Sequence, residues 1–309
     1  MARFILRIGL YAVATGIMFL MIALFAGPFT DPFYQRFTTP RQRSLVVGTS
    51  RAAQGVIPQV MNEELLNHDI DAGLYNYSFT IKSSPYGRPY LESVMRKLDV
   101  DKSRDHYFVV TVDPWSISTL FYSNNTFEEE SFAPSNMTRV DMNPNTEYVY
   151  KNVDNRPLMI LRSFRHVNHP EVMGDGSLKV SATKSREDAE ETTIDRLKEY
   201  KRFSARHTIS ATRMSWLNQM LDSLSAYGPC VVVRIPVHPD MRKLEDATFP
   251  EFDSLMTSIS TDHDLPYLNY KHLADSLNTT DGNHLDRVSA ISFSKKLARD
   301  LTPYFKLKD

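Results

Sequence analysis

Hydrophobic and polar positions fall into three regimes along the chain. From Ile8 to Phe29 there is no charged residue. From Ser44 onward, short apolar runs alternate with segments of helical spacing. Between about residues 115 and 206 neither pattern holds. The short runs predict strands over Ser44–Gly48, Gly73–Phe79, Tyr107–Val112 and Cys230–Ile235, with a weaker fifth in "LPYLNY". Helical spacing follows in "AAQGVIPQVMNEELLNH", in "PYGRPYLESVMRKL" and in the amphipathic C-terminal stretch. The strand runs are β-branched and lack polar alternation, as expected where helices cover both sheet faces. Strand and helix in turn predict an α/β fold with a doubly wound parallel sheet.

The first regime is long enough for a helix at 1.5 Å per residue to cross a bilayer core of about 30 Å. Arg3 and Arg7 precede it, and "LFAGPF" puts Leu24 where a cleavage site wants a small residue. Residues 1–29 are therefore expected to be an uncleaved transmembrane anchor; the alternative is a cleaved signal and a soluble product. Arg36, Arg41 and Arg43 follow the span, so the positive-inside rule assigns no side. A lone N-terminal anchor most often exports the domain behind it, which predicts an extracytoplasmic location. Residues 30–43 read as a linker with two prolines, and 44–309 as one domain. The 115–206 stretch, rich in Asn, Pro and acids, reads as an insertion over the carboxyl ends of the strands. Its acidic runs read as solvated surface.

Composition is that of an ordinary globular chain of 309 residues, 42% apolar and 24% charged. Net charge is −1, which argues against a polyanion-binding surface and so against nucleic acid. Removing Arg3 and Arg7 from the 36 basic residues leaves 34 against 37 acidic ones, a mildly acidic domain. Cys230 is the only cysteine, which excludes an internal disulfide and multi-cysteine metal sites.

Candidate chemistry comes from two separated blocks. In "SLVVGTSRAAQ", Ser50 lies just past the first strand, where an open α/β sheet places its sites. The start of a helix there favours developing negative charge. Alone, Gly-Thr-Ser is also an ordinary turn with a helix N-cap. In "NTTDGNHLDR", Asp281 and His284 stand three residues apart before the last helix. A serine nucleophile needs a base, and the base needs a carboxylate to fix its tautomer. One tight loop can deliver both.

The order of these blocks resembles that of the SGNH hydrolases, or GDSL family. There a Ser follows the first strand of a flavodoxin-like sheet and an Asp-x-x-His precedes the last helix. The resemblance spans Ser44 to Phe305, although only the two end blocks carry it. It implies Ser50 as nucleophile, His284 as base and Asp281 as its orienting acid, with no metal or organic cofactor. It is similar in particular to membrane-anchored members linked to polysaccharide O-acetylation and teichoic acid D-alanylation. Those work on envelope glycans and suggest a multispanning acyl-donor protein as partner.

Three departures from the family pattern bear on the oxyanion site. Thr49 replaces the family's Asp, "NYSFT" stands where a Gly is usual, and "VDPWS" replaces a Gly-x-Asn block. The donors expected here are the Ser50 N–H, then the Ser78 N–H, then the Asn76 side chain. Arg51, Asp113 and His238 lie near strand ends and are further candidates for lining the site, each with an alternative: a surface arginine, a turn aspartate and a structural histidine. His166 and His169 lack the acid and cysteine companions of a zinc site. Trp115 offers either a sugar-stacking face or core. The expected function is an anchored serine esterase or O-acyltransferase; the alternative is a non-catalytic envelope protein that keeps the fold and binds a glycan or membrane partner.

Overall fold

The computed structural model describes residues 1–29, 32–80, 86–101, 105–120, 137–151, 170–180 and 185–306. Five parallel strands form its central sheet: β1 (Ser44–Val47), β2 (Leu74–Asn76), β3 (Phe108–Thr111), β8 (Cys230–Arg234) and β9 (Tyr267–Asn269). They run in the order β2-β1-β3-β8-β9. Counted within the sheet this is 2-1-3-4-5, the doubly wound flavodoxin-like order, whose direction reverses beside β1.

Each strand feeds two cores because successive side chains point to opposite faces. Leu45, Val47, Phe108, Val110, Cys230 and Val232 enter one core. Helices α4 (Arg88–Lys97), α7 (Ala211–Ser225) and α9 (Phe252–Asp262) contribute to that side. Val46, Val109, Val231 and Val233 enter the other, with α2 (Ser50–Gly55), α3 (Pro58–Leu66) and α10 (Arg287–Lys306). Burial on both faces explains the missing polar alternation. The first helical run is broken in two, because Pro58 at the first position of α3 lacks an N–H and keeps Ile57 extended. The extended chain after β2 continues the ladder: Tyr77 N–H donates to Val46 O and Phe79 N–H to Gly48 O.

The 115–206 stretch is closed at its base. Its entry, β4 (Ser118–Leu120), pairs antiparallel with β7 (His207–Ile209) just beyond its exit. Within it lie α5 (Thr146–Lys151), the small hairpin of β5 (Glu171–Val172) and β6 (Leu178–Lys179), and α6 (Arg186–Ser204). The acidic run there begins a 19-residue helix, started by a reciprocal cap between Ser185 and Asp188. His166 and His169 lie outside the described residues.

N-terminally, α1 (Ala2–Ala26) is long and apolar enough to cross a membrane, and most of its side chains are exposed. One face of its last turns is covered. Ala23 is buried, Phe19 and Ile22 pack on the core, and Tyr34 donates its hydroxyl to Ala23 O. The expected linker packs with them: Phe33, Tyr34, Arg36 and Phe37 are all buried. Helix α8 (Pro239–Thr248) follows β8.

Candidate active site

Ser50 opens α2 at the carboxyl end of β1, where the strand order reverses. The chain reaches that point through Gly48, whose φ is +151°. A Cβ there would lie 1.7 Å from Thr111 Oγ1 on β3, so only glycine fits. The Gly48 N–H donates to the Tyr90 hydroxyl at 2.8 Å, fixing the turn from below. Thr49 occupies the cap position of α2 but turns its hydroxyl to Asp113 Oδ2, 2.7 Å away.

The second block forms a tight loop. Thr280 N–H donates to His284 O, and Asp286 caps α10 by accepting from Ser289 N–H at 2.7 Å. Gly282 turns the loop at φ +78°; a Cβ there would press on Thr193 of α6 at 2.8 Å. Asp281 Oδ1 accepts the N–H groups of Asn283 and His284, each at 3.0 Å. The same carboxylate faces His284 Nδ1 at 2.9 and 3.0 Å, and His284 Nε2 lies 2.8 Å from Ser50 Oγ. The carboxylate at Nδ1 makes that nitrogen the N–H and leaves Nε2 free to accept from the serine.

Asp281 is 7% exposed. Burial by itself raises a carboxyl pKa, but the hydrogen bond and charge of His284, with the two N–H donors, hold Asp281 well below the usual carboxylate range. Arg196 of α6 adds a cation 3.4 Å from Oδ2. The result is a hydroxyl in contact with a base and a base in contact with a committed anion.

The other expected site residues are brought near but put to different uses. Asn76 is fully buried, and its amide donates to Ala52 O and Val56 O, both at 2.8 Å. Its oxygen takes the Ser78 N–H at 3.1 Å. Two of the three expected oxyanion donors are therefore spent, the Asn76 amide in tying β2 to the end of α2 and the Ser78 N–H on Asn76 itself. Asp113 caps the turn after β3, accepting from Trp115 N–H and Ser116 N–H at 3.0 Å each, so the turn reading accounts for it. Trp115 is buried edge-to-face against Tyr200 and Phe249 and offers no open face for a sugar. The His238 ring caps α8, accepting from Asp240 N–H, while its main-chain N–H donates to Gly282 O at 3.1 Å and braces the loop. Cys230 is buried, and burial pushes its thiol up to about 12, so it is no nucleophile.

Arg51 differs most from expectation. It is 4% exposed rather than on the surface of α2. Its guanidinium donates to Asn283 Oδ1 through Nε at 3.0 Å and Nη2 at 2.6 Å, and pairs with buried Glu245. Glu245 also takes the Trp115 indole N–H at 2.8 Å and Arg234 at 3.2 Å. Burial would raise the Glu245 pKa, but Arg51 and then Arg234 lower it, so it is a carboxylate. The sequence pattern does not announce this network beneath the loop. Glu245 stands four residues after buried Met241 and so on the same face of α8, which is the available signal. Asn283, by its sequence context, reads only as a turn former. Among the described residues, no group of three or more His, Cys, Asp or Glu is placed to hold a metal.

No family model matches this chain, and no curated protein does. Among solved structures it is similar to the inhibitor-bound form of an aryl esterase from M. smegmatis, at 11% identity and a TM-score of 0.39, over 85% of this chain and 100% of that one.

Proposed function

We propose that the chain is a membrane-anchored serine acyl-transfer enzyme, with Ser50 as nucleophile, His284 as general base and acid, and Asp281 orienting His284. The observation that carries this reading is the continuous contact from Ser50 Oγ through His284 to Asp281, at 2.8 and 2.9 Å. Ser50 attacks an ester carbonyl and passes its proton to Nε2. The acyl group then moves to water, as in an esterase, or to a carbohydrate hydroxyl. The Ser50 N–H at the start of α2 is the oxyanion donor left once Asn76 and Ser78 are spent. The anchored form and the insertion beside the loop support an envelope glycan as acceptor, with α1 in the bilayer, the domain outside the cytoplasm and a multispanning protein as acyl source. Nucleic acid has no role in this chemistry.

The test is labelling of the full chain, in detergent, by a fluorophosphonate probe. Wild type should label, Ser50→Ala should not, and His284→Ala should label at least about 1,000-fold more slowly. The spent Asn76 and Ser78 donors favour a second reading, a non-catalytic glycan-binding protein. Folded wild type that never labels, with glycan affinity indifferent to Ser50→Ala, would select it.

A further inference from the structure

Asn283 presents an N–H donor of fixed direction to the atom that carries the proton. Its side-chain oxygen accepts twice from Arg51. A guanidinium has only donors, so turning the amide over would set N–H against N–H. Nδ2 therefore faces the other way and lies 3.2 Å from His284 Nε2, the nitrogen that also meets Ser50 Oγ. The support is rigid: Asn283 and Arg51 are each 4% exposed and Glu245 is wholly buried. The Asp281 carboxylate already directs the Nδ1 side of the ring. The amide sits on the opposite side, where reacting oxygens come and go.

We propose that Asn283 is a further catalytic residue, which donates an N–H from Nδ2 to the oxygen that exchanges its proton with His284 Nε2. The inference rests on the Ser50–His284–Asp281 reading above. In acylation, Ser50 Oγ forms a bond to the carbonyl carbon and gives its proton to Nε2. The bond from that carbon to the leaving oxygen then breaks, its electron pair stays on the leaving oxygen, and Nε2 returns the proton there. To receive the proton, the leaving oxygen must come within hydrogen-bond reach of Nε2. An amide 3.2 Å from Nε2 is beside it and stabilises its charge until the proton arrives. In deacylation, water or an acceptor hydroxyl takes the same place, loses its proton to Nε2 and forms the new bond to carbon; the bond from that carbon to Ser50 Oγ then breaks, its electron pair stays on Oγ, and Nε2 returns the proton there. Arg51 and Glu245 do not touch substrate; they are positioning residues that set the direction of the amide.

The test is a leaving-group series on the full chain in detergent: acetate esters from nitrophenol, through phenol, to a simple alcohol, with kcat and KM measured separately. A nitrophenolate departs without help and an alkoxide does not. Asn283→Ala should lower kcat about 100-fold for the alkyl ester and no more than about threefold for the nitrophenyl ester, with KM little changed. Asn283→Asp keeps an acceptor for Arg51, and so the loop's support, but has no N–H; it should show the same slope. Arg51→Lys removes the fork that orients the amide and should give a smaller loss with the same slope. An equal loss across the series would mean a merely structural role and overturn the proposal. Unchanged kcat on the alkyl ester would overturn it and leave the triad standing. Folded wild type inert on every ester and unlabelled by fluorophosphonate would overturn both.

Discussion

Beneath the candidate site, Arg51 and Arg234 share the carboxylate of Glu245; on the flank where residues 32–43 pack, Arg36 and Lys97 lie as deep and share none. Arg36 sits between the rings of Phe33 and Phe79 and donates twice to Gly176 O, at 3.0 and 2.6 Å. Lys97 donates to Thr39 O, Thr39 Oγ1 and Val140 O, with the rings of Tyr75 and Tyr77 beside it. Neither makes an ion pair among the described residues. Carbonyl dipoles and ring faces offset burial less fully than a carboxylate does. Burial accordingly brings the Lys97 pKa down to about 7 and that of Arg36 to about 10, whereas Arg51 is driven above its ordinary value by Glu245 despite burial. One flank therefore holds its charges at any physiological pH, and the other holds a proton that folding makes easier to lose.

The largest effect should come from breaking the shared carboxylate. Glu245→Gln keeps the shape but leaves the buried Arg51 guanidinium without a counter-charge and Arg234 with Asp253 and Asp246 alone, and should cost about 3–5 kcal/mol in denaturant unfolding. An unchanged midpoint would show that the network is not what supports the loop. A middle-sized effect should appear in pH titration of stability. The folded pKa of Lys97 lies below its unfolded value of about 10.4, so in the window between them the unfolded chain binds more protons. Stability from this group is complete above about pH 10, falls as the pH drops, and is lost by about pH 7. Wild type should thus gain thermal stability relative to Lys97→Met between pH 7 and 9.5; parallel curves would contradict this. The smallest effect belongs to Arg196, whose side chain is 36% exposed and 3.4 Å from Asp281. Arg196→Ala should change stability by no more than about 1 kcal/mol, less still at high salt. A larger loss would make α6 part of the supporting network.

Legibility from sequence divides along the same line. The strands are legible because a parallel sheet covered on both faces needs uninterrupted apolar runs such as "CVVVR", and the blocks that hold Ser50, Asp281 and His284 stand out because their order resembles that of the SGNH hydrolases. Arg51, Glu245 and Asn283 are not legible as a group. A charged residue in a helix looks solvated unless its partner is known, and these partners are 194 and 232 residues apart. The expected roles of Asn76 and Ser78 fail for a related reason. The Asn76 amide meets two main-chain carbonyls at the end of α2, and the Ser78 N–H meets the Asn76 oxygen two residues back. Helix α6 carries a local signal in its Ser-Arg-Glu-Asp start, outweighed by the acidic composition around it.

The joint between α1 and the domain is a clamp, with the Tyr34 hydroxyl on Ala23 O and Phe37 stacked against Phe79 below it. The end of the rod is thus held against the body through Phe19, Ile22 and Ala23. If the rod stands in a bilayer as proposed, a tilt or roll of the helix would be passed to the domain that carries the serine. A loose tether would let the Ser50 hydroxyl sweep a hemisphere; on the proposed reading, this joint would narrow that arc. Acceptors would then be chosen by where they stand as well as by what they are.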